Sequence, residues 1–264
     1  MPSKLGQNFL TNKEIVKKII KSSSLAVDDV VLEIGPGKGI LTEELAKKCK
    51  KIIAVEIDKS LAGCLADKFG KNNKVEIITG DILKSDILKI IPHSLLQIPG
   101  YKVIANLPYY ITSSIIRMFL EIEFYPKEMI LMVQKEVAER IVAKPGKMSI
   151  LANSVQYYAR PELLFCVDKN NFDPVPEVDS AVIRITHKTE HTAKEEANNF
   201  FRVVRAGFCA KRKTLANNLA NSFHLDKKEV EDKLKTLGVH SGARAQELDV
   251  DKWKEISHLF LQKN

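Results

Sequence analysis

No apolar run in the chain approaches the roughly 18 residues that a membrane-spanning helix needs, so none is expected. The opening residues, MPSKLGQNFLTNKE, lack the apolar stretch of a secretory signal, and the expectation is a cytoplasmic protein. Cysteine is scarce: Cys49, Cys64, Cys166 and Cys209. None stands in a C-x-x-C pair, and the spacing suits neither a zinc site nor a disulfide framework. Free thiols in a reducing compartment are expected. His93, His187, His191, His224, His240 and His258 show no metal-ligand spacing, so no metal is expected. There is no internal repeat and no low-complexity tract. With 45% hydrophobic and 28% charged residues, collagen-like, mucin-like and disordered classes are excluded.

What is there is an ordinary globular composition. At 264 residues the chain can form one large domain, or one large and one small. Lys and Arg number 41 against 33 Asp and Glu, a net charge of +8 that points weakly to a polyanionic partner. Strand and helix patterns alternate as far as about residue 135. Short apolar runs at Val30 to Ile34, Lys51 to Ile57, Val75 to Thr79, Lys102 to Ala105 and Met129 to Val133 are separated by amphipathic stretches. This alternation predicts a mostly parallel sheet covered on both faces. Asn12 stands as a helix N-cap before KEIVKKIIKSSSL. After the helix SILANSVQYYA come two more strand-like runs, ELLFCVD and VDSAVIRITH. The second alternates like an antiparallel strand at the far side of the sheet. The prolines of NFDPVPEVDS keep the segment between them extended. From about residue 188 onward only helical patterns remain.

Candidate chemistry begins at VVLEIGPGKGIL, a strand, a turn and a helix. Gly35, Gly37 and Gly39 form G-x-G-x-G, where glycine permits a sharp turn and close backbone approach to a ligand. A dinucleotide fingerprint would be G-x-G-x-x-G, and Lys38 is not in a Walker context. The next strand ends at Glu56, 21 residues beyond Gly35, where a carboxylate can accept bonds from ribose hydroxyls. The third ends before Asp81, on the rim that can receive an exocyclic amine. Singly, these acids read as solvated strand ends. Together with the glycine loop they converge on one crevice at the carboxyl ends of the strands. The absence of pyrophosphate-binding geometry points to S-adenosylmethionine.

The fourth strand ends in Asn106-Leu107-Pro108-Tyr109. An aromatic exocyclic amine is a poor nucleophile because its lone pair is delocalised into the ring. The Asn106 side-chain oxygen and the Leu107 carbonyl can accept its two protons and favour a tetrahedral nitrogen. Pro108 stiffens the turn, and Tyr109 offers a ring for stacking on a base. Catalysis is then mostly positioning.

The motifs KLGQNFL, EIGPGKGILT, AVEID, TGDIL, NLPYYIT, FDPVPEVDSAVI and FCAKRKTLANNL, in this order, resemble the KsgA/RsmA family of small-subunit ribosomal RNA adenine-N6,N6 dimethyltransferases. The resemblance runs nearly the whole length. It implies an α/β fold: a Rossmann-like class I methyltransferase domain with a seven-stranded, mostly parallel sheet, and a small C-terminal all-helical domain. Residues 1–188 would form the S-adenosylmethionine-dependent domain and residues 189–264 the RNA-contacting one. It implies dimethylation of two adjacent adenosines in the hairpin loop near the 3′ end of the small-subunit RNA, during ribosome assembly, by a monomer. Carried over by position, Asn8 and Leu10 would lie over the methionine end of the cofactor. Gly35 and Gly37 would line the loop, Glu56 would hold the ribose and Asp81 would meet the adenine. Asn106 would lie where cofactor and target amine meet. Phe172 would form a second wall for the base, opposite Tyr109; from the residues alone it is equally a core side chain.

Arg202, Arg205, Lys211, Arg212 and Lys213 form a run without an acid, read as a phosphate-tracking surface or as a solvated face. Lys211 stands where the family often has arginine, which removes bidentate geometry. The leader before QNFL is short. Lys47, Lys48, Lys50 and Lys51 read as solvated. Three rivals are a macrolide-resistance methyltransferase of large-subunit RNA, a DNA adenine methyltransferase and a non-catalytic nucleic-acid-binding factor on the same fold. The PVPEVDS and KRKTLANNL segments weigh against the first, and the lack of room for a large target-recognition domain against the second. Glu56, Asp81 and Asn106 weigh against the third.

Overall fold

Short, mostly apolar runs whose side chains are nearly all buried make the inner strands, since a sheet covered on both faces accommodates them. The computed structural model describes residues 7–91, 101–188 and 193–261. The first three residues of KLGQNFL, His93, His191 and most of the polar stretch before Lys194 lie outside them. The strands are β1 (Phe9–Leu10), β2 (Val30–Ile34), β3 (Lys51–Glu56), β4 (Val75–Thr79), β5 (Lys102–Asn106), β6 (Glu128–Gln134), β7 (Ala159–Val167), β8 (Phe172–Asp173) and β9 (Ser180–His187). Seven of them form one sheet in the order β4-β3-β2-β5-β6-β9-β7. The pairs from β4 through β6 are parallel, and β9 runs antiparallel to β6. This is the mixed sheet expected, with VDSAVIRITH as its antiparallel member. Between β2 and β5 the strand order reverses, which opens a crevice at the carboxyl rim.

The helices are α1 (Lys13–Ser22), α2 (Ile40–Leu45), α3 (Lys59–Phe69), α4 (Ile87–Ile90), α5 (Thr112–Glu121), α6 (Lys135–Ile141), α7 (Ile150–Tyr158), α8 (Lys194–Gly207), α9 (Leu215–Phe223), α10 (Lys227–Thr236) and α11 (Val250–Leu261). Their starts follow capping chemistry. The Asn12 side chain accepts from Glu14 N, and that of Asp58 from Ser60 N and Leu61 N. Buried Lys102 holds the chain after α1 against the sheet. Its Nζ donates to the Ser23 and Ser24 carbonyls at 3.2 and 2.7 Å and pairs with Asp29 at 2.9 Å.

The chain divides into two compact units, Met1–Ala138 with Arg160–His187, and Glu139–Ala159 with Lys188–Asn264. The first holds the sheet. The second is helical, and α7, which lies before the last strands in sequence, belongs to it. Its core gathers Tyr157, Phe200, Leu215, Leu219 and Trp253. Gly207 is required there, because a Cβ would stand 2.2 Å from Trp253 Cη2.

Candidate active site

The loops after β2, β3, β4 and β5 and the short N-terminal strand line one cavity at the carboxyl rim of the sheet. The glycine loop comes first. Gly35, Gly37 and Gly39 have φ of +65°, +57° and +75°, a region that disfavours any side chain with a Cβ. At Gly37 space adds a second constraint, since a Cβ would stand 2.8 Å from the Phe9 ring. The chain at Phe9 therefore lies directly on the loop. Lys38 Nζ sits 4.9 Å from the Phe9 ring centroid and 3.5 Å from Asp173 Oδ2.

Glu56 is buried at the end of β3. Its Oε2 accepts from Gly37 N at 3.1 Å and its Oε1 from Asp58 N at 3.0 Å. Each oxygen retains a second lone pair for a hydroxyl donor. Asp81 Oδ1 accepts from Leu83 N at 3.0 Å, and its Oδ2 lies 3.6 Å from Lys84 Nζ. Beside these carboxylates, Ile57 and Leu83 leave apolar surface exposed among the lining residues. Two acids flanked by apolar side chains form a slot suited to a flat, polar-edged ring. Sequence reasoning missed Ile57 and Leu83, although each stands one or two residues after the acid it accompanies.

It also missed Glu33. This residue ends the run before the glycines, is 1% exposed and lines the cavity. Burial pushes its carboxyl up to about 8, and the Glu56 charge adds to the shift. Glu33 Oε2 is buried with no hydrogen-bond partner among the described residues. A cationic or donor group entering the cavity would satisfy it. These observations fit S-adenosylmethionine, which carries an ammonium, ribose hydroxyls and an adenine.

The four residues at the end of β5 share the cavity. Asn106 Nδ2 donates to the Asn8 carbonyl at 3.3 Å, which leaves Oδ1 as the acceptor. Leu107 is buried, and its N–H donates to the Met132 carbonyl at 3.1 Å. Pro108 Cδ is 3.8 Å from where a Cβ on Gly35 would stand, so the glycine loop and this turn abut. The Tyr109 hydroxyl hydrogen-bonds Ser180 Oγ at 2.8 Å, and burial pushes the phenol pKa up. Ser180, the first residue of β9, thus fixes the ring.

Asn8 and Leu10 also line the cavity. They are held by an antiparallel ribbon in which Phe9 faces Asp173 and Leu10 faces Phe172. Thr11 N and Asn12 Nδ2 bond to Asn171 O and Oδ1 at 2.9 and 2.7 Å. In this ribbon Phe172 is 3% exposed and packs in the core with Leu10, Phe165 and Val182. The structure brings Tyr109 into the cavity lining and places Phe172 outside it. A two-residue pairing with no periodicity gave no sequence signal.

In the helical unit, Arg202 and Arg205 project from α8, and Lys211, Arg212 and Lys213 occupy the turn before α9. All five are exposed, and none forms an ion pair among the described residues. The Arg202 guanidinium lies 5.3 Å from the Phe223 ring centroid. Buried Asn218 sets the start of the basic turn, its Nδ2 donating to the Gly207 and Ala210 carbonyls at 2.6 and 3.0 Å. Lys47 and Lys51 instead pair with Glu44 and Glu76. Among the described residues no cluster of His, Cys, Asp or Glu could hold a metal ion, and no helix is long and apolar enough to cross a membrane.

Residues 1–262 match the family model described as ribosomal RNA adenine dimethylase. A Dehalococcoides mccartyi protein named ribosomal RNA small subunit methyltransferase A is 41% identical over 254 residues, spanning 96% of this chain and 86% of the relative. A protein of the same name from Fusobacterium nucleatum is 41% identical over 261 residues, spanning 97% and 96%. Among solved structures, the 23S rRNA methyltransferase ErmE superposes with a TM-score of 0.77 at 26% identity, covering 97% of this chain and 100% of that one. A dimethyladenosine transferase from Plasmodium falciparum gives 0.77 and 26%, with 94% and 95% covered.

Proposed function

Because the chain belongs to the ribosomal RNA adenine dimethylase family, we propose that it dimethylates the N6 amines of two adjacent adenosines in the 3′-terminal hairpin loop of small-subunit ribosomal RNA. The observation that carries this reading is the shared cavity. Asn106, Leu107, Pro108 and Tyr109 line it together with the glycine loop, Glu56 and Asp81. When bound, S-adenosylmethionine supplies an activated methyl group. Asn8, Leu10, Gly35, Gly37, Glu56 and Asp81 would hold it, joined by Asn106 at the reacting end.

The chain's own residues then do positioning work. Asn106 Oδ1 and the Leu107 carbonyl accept the two amine protons and favour localisation of the lone pair on nitrogen. Tyr109, anchored to Ser180, offers its ring to the target base. The methyl group's bond to the sulfonium sulfur would break as the new N–C bond forms, leaving S-adenosylhomocysteine, and the resulting ammonium would give its proton to solvent, so no tuned general base is required. A base paired in a duplex cannot reach such a cavity, which is consistent with a loop substrate.

The sheet-bearing unit carries this chemistry in the proposal. The helical unit meets RNA phosphates through Arg202, Arg205, Lys211, Arg212 and Lys213. Phe172, buried beside Leu10, would form the second wall for the base, opposite Tyr109, once the base is seated. The enzyme acts as a cytoplasmic monomer on the assembling small subunit, a setting that suits its four free cysteines. A second reading, action on large-subunit RNA, has the likeness to ErmE in its favour. The 41% identity to proteins named for the small subunit outweighs the 26% to ErmE. Nucleoside digestion of small-subunit RNA after incubation with protein and S-adenosylmethionine tests the proposal. N6,N6-dimethyladenosine at two neighbouring positions is expected, and its absence contradicts it.

A further inference from the structure

The arrangement above leaves one large aromatic side chain without a task. Tyr110 follows Tyr109 in the single turn Tyr109–Ile111 and lines the same cavity. It is 62% exposed, whereas Tyr109 is half-buried and bonded to Ser180. Among the described residues no hydrogen bond or ring contact reaches Tyr110. Neighbours in a 3₁₀ turn point about 120° apart, so one ring is held in the site while the other stands at its mouth. An exposed ring at the mouth of a cavity, unanchored at its hydroxyl, is a free π-face.

The chemistry of the proposed substrate supplies a partner for that face. A nucleotide drawn into an enclosed site leaves its stack and uncovers the base beside it. Aromatic side chains recover such stacking with little regard to base identity. The Cα atoms of Tyr109 and Tyr110 are about 3.8 Å apart, so rings diverging from them can serve successive nucleotides of one strand. We propose that Tyr110 is a stacking platform for the nucleobase adjacent to the target adenosine. It holds the strand open at the cavity mouth and acts as a positioning residue, not a catalytic one. The inference rests on the RNA-methylating function proposed above.

The test uses the full-length protein and an RNA hairpin carrying 2-aminopurine on either side of the target adenosine. Binding to the wild-type protein is expected to quench the probe on one side. Tyr110→Ala should remove that quenching and raise KM for RNA about tenfold, with a smaller change in kcat and unchanged affinity for S-adenosylhomocysteine. Tyr110→Phe should retain both quenching and KM, because the hydroxyl has no partner. Unchanged KM and quenching in Tyr110→Ala overturn the inference. So does a Phe variant that behaves like the Ala variant, or an Ala variant that loses cofactor affinity or folding. Failure of the wild-type protein to methylate RNA overturns instead the function on which the inference rests.

Discussion

Asn106 serves two neighbours at once. Its Nδ2 holds the Asn8 carbonyl while its Oδ1 is left for an incoming amine. Asn106→Ala is therefore expected to reduce methyl transfer at least about a hundredfold while RNA affinity stays nearly constant. Cofactor affinity should fall several-fold as the Asn8 segment loosens. Single-turnover methylation, RNA binding and calorimetry separate the three effects, and undiminished transfer would contradict the role given to Asn106. Glu33 makes a different demand, on stability. Its folded-state pKa of about 8 lies above the ordinary carboxylate value of 4.5. Between those values the folded chain keeps a proton that the unfolded chain has lost. Stability thus falls as pH rises across this window, by at most about 1.4 kcal/mol per unit. Denaturation of the unliganded protein should show Glu33→Gln flattening that decline; an unchanged profile would contradict it. The place of Asn106 in the cavity lining was legible because a polar residue type at a strand end marks it. Glu33 was not, because its importance comes from complete burial, which a strand-end acid does not announce.

At the scale of elements, the glycine loop and the N-terminal strand depend on each other. Gly37→Ala combines a positive φ with a contact of 2.8 Å to Phe9. It should destabilise by more than about 1 kcal/mol and weaken cofactor binding by displacing the ribbon. Gly63 is a useful contrast. It lies within α3 at negative φ, and a Cβ there meets nothing within 4 Å. Gly63→Ala should stabilise by about 0.5–1 kcal/mol with cofactor affinity unchanged. Thermal denaturation and calorimetry on both variants check the pair; equal effects would contradict this account of the loop. The strands β2 to β6 were readable because buried parallel strands are short apolar runs bounded by turns. The ribbon of Phe9–Leu10 with Phe172–Asp173 was not, since pairing between residues 162 and 164 positions apart leaves no local pattern. Tyr109 was legible as a ring beside a motif, but its anchoring by Ser180 required the fold.

At the scale of the whole molecule, composition gave a surplus of positive charge without saying where it works. The structure shows some lysines paired with nearby acids, and exposes Lys211, Arg212 and Lys213 in a turn begun by buried Asn218. Replacing these three by alanine should weaken RNA binding across sequences and lower the slope of log affinity against log salt by about 2 to 3, with cofactor affinity unchanged. A salt titration of RNA binding measures this, and an unaltered slope would return the three residues to a merely solvated face. The membership of α7 in the helical unit was not legible, because its apolar face gives no sign of which core receives it. The most direct test of the account is transfer of labelled methyl groups from S-adenosylmethionine, side by side, to unmethylated small subunits, large-subunit RNA and DNA. Transfer to the small subunit alone, recovered as dimethyladenosine and abolished in Asn106→Ala, is the expected result. Transfer to large-subunit RNA or DNA in its place, or cofactor binding with no transfer to any of the three, would contradict it.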